Sequence, residues 1–116
     1  MDAEQQVRLT FLDEADECCD RIEASLLGVS ESIAEPATLD LALRSSHSIK
    51  GGAAMMGYPP LSKAAHRLED FLKILRLRYT TQLIPLHVET LLLQSVDRLR
   101  EISEFHRQDQ SVEEVV

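Results

Sequence analysis

Apolar side chains recur at intervals of three and four along almost the whole chain, and the rhythm breaks at only three places. The first stretch, from about Asp2 to Leu27, carries Val7, Phe11, Ala15, Cys18, Ile22 and Leu26. This is the spacing of one face of an α-helix. Gly28 and the following "VSESIAEP" stop it. A second stretch opens near Pro36, a residue suited to a first helical turn, and runs through Leu39, Ala42, Ser46, Ile49, Ala53 and Met56. "GYPP" at 57–60 ends it, because two prolines cannot continue a helix. The third holds Leu61, Ala64, Ala65, Leu68, Leu72 and Leu75 and fades through "RLRYTTQ". The fourth begins near Pro85 with Val88, Leu91, Leu92, Ser95, Leu99 and Ile102. No run alternates with period two, so strands are not expected. Four amphipathic helices joined by short loops predict an all-α, antiparallel up-down four-helix bundle. The final "RQDQSVEEVV" reads as a frayed tail, a short fifth helical segment or the start of a linker, so the folded domain is expected over 1–110, with 111–116 outside it.

The bulk properties fit one bundle of this size. With 116 residues and 44% hydrophobic content the chain can bury a single core, and with 4% aromatics and no Trp that core must be aliphatic. The net charge of −8 argues against nucleic acid or an anionic membrane as the main partner. Apolar runs such as Leu91–Leu93 are far too short to span a bilayer. "MDAEQQVRLT" has neither the basic nor the apolar region of a secretory signal, so a cytoplasmic location is expected. Cys18 and Cys19 are adjacent, and on a helix they point about 100° apart. They are expected to be unpaired small hydrophobes.

The second helix contains an anomaly. "HSIKGGAAMMG" places two glycines beside His47, although each glycine costs a helix interior about 0.5–1 kcal/mol relative to alanine. On a helical wheel His47 lies about 130° from the apolar seam and faces outward, with Lys50, Gly51 and Ala54 on the same side. That surface is a histidine ringed by a cation and by residues with almost no side chain. Gly51 then clears room for another molecule to reach the imidazole, whereas Gly52 lies near the seam and suits helix packing. A solvated histidine without a role is the alternative that spacing alone leaves open. On the third helix, "HRLEDFLK" puts His66, Glu69, Asp70 and Lys73 on the polar side. Glu69 flanks the apolar stripe, from where it can lean across the groove to a neighbouring helix. A carboxylate that accepts the proton of one ring nitrogen fixes the tautomer and leaves the other nitrogen nucleophilic. An ordinary charged helix face is the competing reading of these residues.

"SSHSIKGGAAMMGYPPL" followed by "AHRLEDFLK" resembles the histidine phosphotransfer (HPt) family, whose signature is His-x-x-Lys-Gly with small residues and a further glycine. Here these are His47, Lys50, Gly51, Ala53, Ala54 and Gly57. The downstream His66-x-x-Glu69 is most similar to the phosphotransfer domain at the N-terminus of chemotaxis-type (CheA-like) histidine kinases. The resemblance implies that His47 is the phosphoacceptor, charged by an ATP-bound histidine kinase core and discharged to an aspartate of a response-regulator receiver domain. It further implies that Lys50 offsets phosphoryl charge, Glu69 orients the imidazole, His66 joins the surrounding polar network, and Gly51 and Ala54 permit close docking.

The chain itself shows no G-x-x-x-x-G-K-[ST] run or other Gly-rich phosphate cradle, and no carboxylate cluster suited to Mg²⁺. No cofactor is therefore expected in this domain, with ATP and Mg²⁺ supplied by the kinase and receiver partners. No metal site is expected either: Glu-x-x-His is absent, and the histidines at 47, 66, 87 and 106 lack ligand spacing. The isolated domain is expected to be monomeric, and to be a shuttle that depends on a kinase for catalysis. A free-standing relay between two receivers, or a helical interaction module that never takes phosphate, are the alternatives.

Overall fold

In the computed structural model the backbone is described for residues 2–115 and the side chains for residues 2–109. Helix α1 spans Ala3–Leu26. It starts at a capping box: the Asp2 carboxylate accepts from the Gln5 backbone N–H at 2.7 Å, and the Gln5 side chain accepts from the Asp2 N–H at 3.1 Å. Helix α2, Pro36–Met56, opens with proline in its first turn and ends at Gly57, whose φ of 80° is the left-handed conformation that glycine adopts without strain. The N–H groups of Gly57 and Tyr58 close this end on Ala54 and Ala53 carbonyls. After that two-residue turn, α3 runs over Pro59–Arg78, with Arg76 and Arg78 in its last turn opposite the negative end of the helix dipole. Helix α4 spans Leu86–Val115. Consecutive helices pack on one another and α4 closes the ring against α1, giving the expected up-down four-helix bundle.

The core is aliphatic, as composition requires. Leu12, Ile22, Leu26, Leu39, Ile49, Leu61, Leu72, Ile84, Leu92, Val96 and Leu99 are fully enclosed. Each contributes about 1.5–3 kcal/mol relative to an exposed side chain. Both cysteines are free and buried, and burial pushes the Cys19 thiol up to about 12. That thiol is inert at neutral pH. Two arginines tie α4 to α1: Arg100 reaches Asp20 at 2.9 Å and Glu23 at 2.6 Å, and Arg107 reaches Asp13 and Asp16, each at 2.9 Å. These networks are half-exposed, so each ion pair is worth at most about 1 kcal/mol. Glu89 of α4 holds the α1–α2 loop by accepting from the Gly28 N–H, the Ser30 N–H and the Ser30 hydroxyl.

Three expectations need correction. Val7 lies 54% exposed in the second turn of α1, at the surface beside Met56 of α2 and outside the core. Helix α4 turns Leu92, Val96, Leu99, Ser103 and His106 inward, while Leu91 and Ser95 face solvent. The apolar Leu91–Leu93 run offers two candidate faces, and packing selects the one continued by Val96. The expected fifth helical segment is, among the described residues, part of α4: nothing between Leu86 and Val115 is glycine or proline, and α4 continues as one helix. The side chains of the expected tail at 111–116 lie outside the described residues.

His106 is buried at one end of the bundle, stacked on Tyr58 with ring centroids 4.3 Å apart, and its Nε2 has no hydrogen-bond partner. Burial pulls its pKa below the ordinary 6.5, with the Asp109 charge opposing. As pH falls the unfolded chain takes up the proton first. Stability is therefore expected to be full above pH 6.5 and to decline as pH drops below it, toward the folded-state value. Urea melts at pH about 7.5 and about 5.5 check this, and His106→Phe is expected to flatten the decline.

Candidate functional site

Helices α2 and α3 form a hairpin through the tight Gly57–Tyr58 turn, and this brings the two sequence motifs together. His47 sits midway along α2 with its side chain 69% exposed. Glu69, from the facing side of α3, is only 2% exposed. Its Oε2 lies 2.6 Å from His47 Nδ1, and its Oε1 accepts from Lys50 Nζ at 2.7 Å. Lys73, one turn further along α3, places its ammonium 3.6 Å from the same Oε1. Burial alone would raise the Glu69 pKa, but hydrogen bonds from Lys50 and His47 and the charges of Lys50 and Lys73 outweigh it. The carboxyl is held below its ordinary range and is ionised at neutral pH.

This fixes the chemistry of the ring. An ionised carboxylate is acceptor-only, so Nδ1 carries the proton and donates it to Glu69. The neutral imidazole then keeps its lone pair on Nε2, on an exposed ring. The Ser62 hydroxyl donates to the Lys50 carbonyl at 2.9 Å and pins α3 to α2 beside the site.

The structure brings His47, Lys50 and Glu69 into one hydrogen-bonded group. His66 lies at the edge of this group: its ring is exposed, Nε2 is 3.4 Å from Asp70 on the same helix, and a ring nitrogen comes within 4.8 Å of the Glu69 carboxylate. Gly51 and Ala54 are exposed beside His47, as the wheel places them. Lys73 is the member that spacing alone did not place in the site. Its signal was the i,i+4 relation to Glu69, which matters only once Glu69 is seen to be buried. Among the described residues, one His/carboxylate cluster, His66, Glu69 and Asp70, has ligand atoms within 4.8 Å of one another. Lys50 and Lys73 already neutralise Glu69 there, which opposes binding of a cation.

The two glycines separate cleanly. A Cβ on Gly51 would meet nothing within 4 Å, so no contact within the domain requires glycine there. A Cβ on Gly52 would overlap the Phe11 ring of α1. Gly51→Ala is therefore expected to stabilise the isolated domain by about 0.5–1 kcal/mol. Gly52→Ala is expected to destabilise it by about 1–2 kcal/mol through overpacking. Thermal unfolding of the two variants beside wild type checks both signs.

The Hpt domain family model matches residues 6–102. The chain belongs to the Hpt domain family. It is a histidine phosphotransfer domain of the two-component phosphorelay type. Its curated relatives include proteins named Chemotaxis protein CheA. That of Klebsiella aerogenes is 39% identical over 84 residues, which is 70% of this chain and 13% of the relative. That of Salmonella typhimurium is 36% identical over 84 residues, or 12% of its length. That of Rhizobium meliloti is 30% identical over 110 residues, covering 94% of this chain and 14% of the relative. This Hpt domain thus matches about an eighth of each relative. No helix among the described residues is long and apolar enough to cross a membrane.

Proposed function

We propose that His47 is the phosphoacceptor of this Hpt domain, that it receives its phosphoryl group from the ATP-bound core of a CheA-like histidine kinase, and that it passes it to an aspartate of a receiver domain. The observation that carries this reading is the 2.6 Å contact between His47 Nδ1 and buried Glu69, which in the neutral imidazole puts the lone pair on Nε2 of an exposed ring. In the first transfer the Nε2 lone pair forms an N–P bond as the bond from the γ-phosphorus to the bridging oxygen breaks, and ADP leaves with that electron pair. The imidazole becomes cationic, and Glu69 stabilises it through the Nδ1–H it already holds. In the second transfer a receiver carboxylate oxygen attacks phosphorus, the N–P bond breaks, and the electrons return to Nε2. Catalysis of this kind rests on positioning and charge.

Lys50 is a mobile point charge that can follow the phosphoryl oxygens, and Lys73 can replace it beside Glu69 when it does. Gly51 and Ala54 leave the approach to His47 clear of side chains. Mg²⁺ and ATP come with the kinase and receiver, a reading that fits the engagement of Glu69 by two ammonium groups. The relatives' names support placing the domain in a chemotaxis-type kinase. We place that protein in the cytoplasm and treat this domain as monomeric.

The test is phosphorylation by a small phosphoramidate donor, read by intact mass and site mapping. A single acid-labile phosphoryl on His47 is the expected result. No modification, or an equal spread over His47, His66, His87 and His106, would overturn the assignment in favour of an interaction module.

A further inference from the structure

A groove of about 450 Å³ runs between α3 and α4, lined by Pro60, Ala64, Leu68, Phe71 and Ile102 and rimmed by Lys63, Arg67 and Arg98. We propose that this groove docks an acidic amphipathic helix of a partner protein, on the opposite side of α3 from the phosphotransfer site.

Three observations carry the inference. The first is charge. The chain has a net charge of −8, yet three cations surround this one groove. Arg100, Arg107, Arg76, Lys50 and Lys73 are all engaged in ion pairs with other helices or with Glu69. Among the described residues, Lys63 and Arg67 form no such pair, and Arg98 meets only Glu101 on its own helix. Cations that hold no helix together, gathered on an acidic protein, fit an acidic occupant.

The second is shape and apolarity. Phe71, 37% exposed, lies on the groove wall with half-buried Ala64 and Ile102. Ile74 is three residues beyond Phe71, and Leu91 is four before Ser95, so each continues its own helix's groove side. Both are exposed. An apolar floor between two antiparallel helices with a charged rim is the shape that receives the apolar face of a third helix. A flat anionic bilayer does not fit such a concave floor, and the net charge of −8 repels it.

The third is position. Arg67 and Phe71 each lie two residues from Glu69, about 160° around the α3 axis. An occupant of the groove therefore leaves His47 open, and docking is compatible with phosphoryl transfer. The proposal does not depend on His47 being the acceptor.

The experiment uses a synthetic amphipathic helix of about 18 residues, with a leucine stripe and a glutamate face, titrated into the ¹⁵N-labelled domain. A peptide of the same stripe with a lysine face and phosphatidylglycerol vesicles serve as the other two arms. Expected are amide shifts confined to the Leu61–Ile74 and Leu91–Ile102 segments for the acidic peptide only. The affinity should weaken with added salt, and by about tenfold or more in a Lys63→Glu/Arg67→Glu double variant. Phosphoramidate labelling of His47 should be unchanged in that variant, which separates failure of the groove from failure of the site. Shifts centred elsewhere, equal binding of the lysine-faced peptide, unchanged affinity in the double variant, or capture of the vesicles through the same residues would each overturn the proposal.

Discussion

His47→Gln is expected to take up no phosphoryl group from a phosphoramidate donor or from a kinase core. Glutamine offers no ring nitrogen with a free lone pair, and the other three histidines lack this environment. His66 pairs with exposed Asp70 at 3.4 Å, His106 is buried, and His87 is exposed at the start of α4. The loss should be complete. The fold should survive, because the replaced side chain is 69% exposed and Glu69 keeps Lys50 as its partner. Surface changes of this kind lie within about 0.5 kcal/mol of wild type. Intact-mass spectrometry and a thermal melt on one protein sample test both parts. Acid-labile phosphate persisting in the variant at wild-type yield would move the acceptor elsewhere.

Glu69→Ala is expected to give the second largest effect, slowing phosphorylation of His47 by about 10–100-fold, by analogy with the loss of a carboxylate that orients a metal-bound histidine. Three things vanish with that carboxylate: the acceptor for Nδ1–H, the counter-charge for a cationic ring, and the tether for Lys50. Glu69→Gln separates them. Its amide oxygen can still accept from Nδ1–H, so it should retain more activity than alanine while losing the counter-charge. Acid dependence gives a second readout. The Glu69 pKa is lowered in the folded state, so its ionised support is present above the ordinary carboxylate value of 4.5 and is lost only as pH falls through the lower folded value. An activity loss assigned to protonation of Glu69 above 4.5 would contradict the described network. Labelling rates that match wild type in Glu69→Ala would remove Glu69 from the site.

The inward faces of α2 and α3 were legible because each has one long apolar stripe that repeats at intervals of three and four. Leu39, Ala42, Ser46, Ile49 and Ala53 are all buried, as are Leu61, Ala65, Leu68, Leu72 and Leu75. The outward placement of His47 and Gly51 follows from the same arithmetic. Helix α4 was less legible: three consecutive leucines satisfy two registers, and only packing against α1 and α3 decides between them. Val29, Ala34 and Ile84 close the core from loops, where no period announces burial. The depth of Glu69 was out of reach for a different reason. A carboxylate is buried when cations from elsewhere come to it, and here one comes from α2 and another from the next turn of α3. The grip of Glu89 on the α1–α2 loop joins residues about sixty apart and leaves no local trace.

The hairpin that carries the site has a consequence for the order in which the domain can be assembled. His47 and Glu69 are 22 residues apart in the chain, and Lys50 and Glu69 are 19 apart. The arginine clamps that close α4 on α1 join residues separated by 77 to 94. Closing the shorter loop forfeits about 1 kcal/mol less chain entropy than closing the longer one. Contacts of low sequence separation are also the ones that fast-folding helical proteins make first. The His47–Glu69 pair thus belongs to the part of the bundle that depends least on the ends of the chain. Loosening where α1 meets the far end of α4 is therefore expected to leave the imidazole and its carboxylate in register.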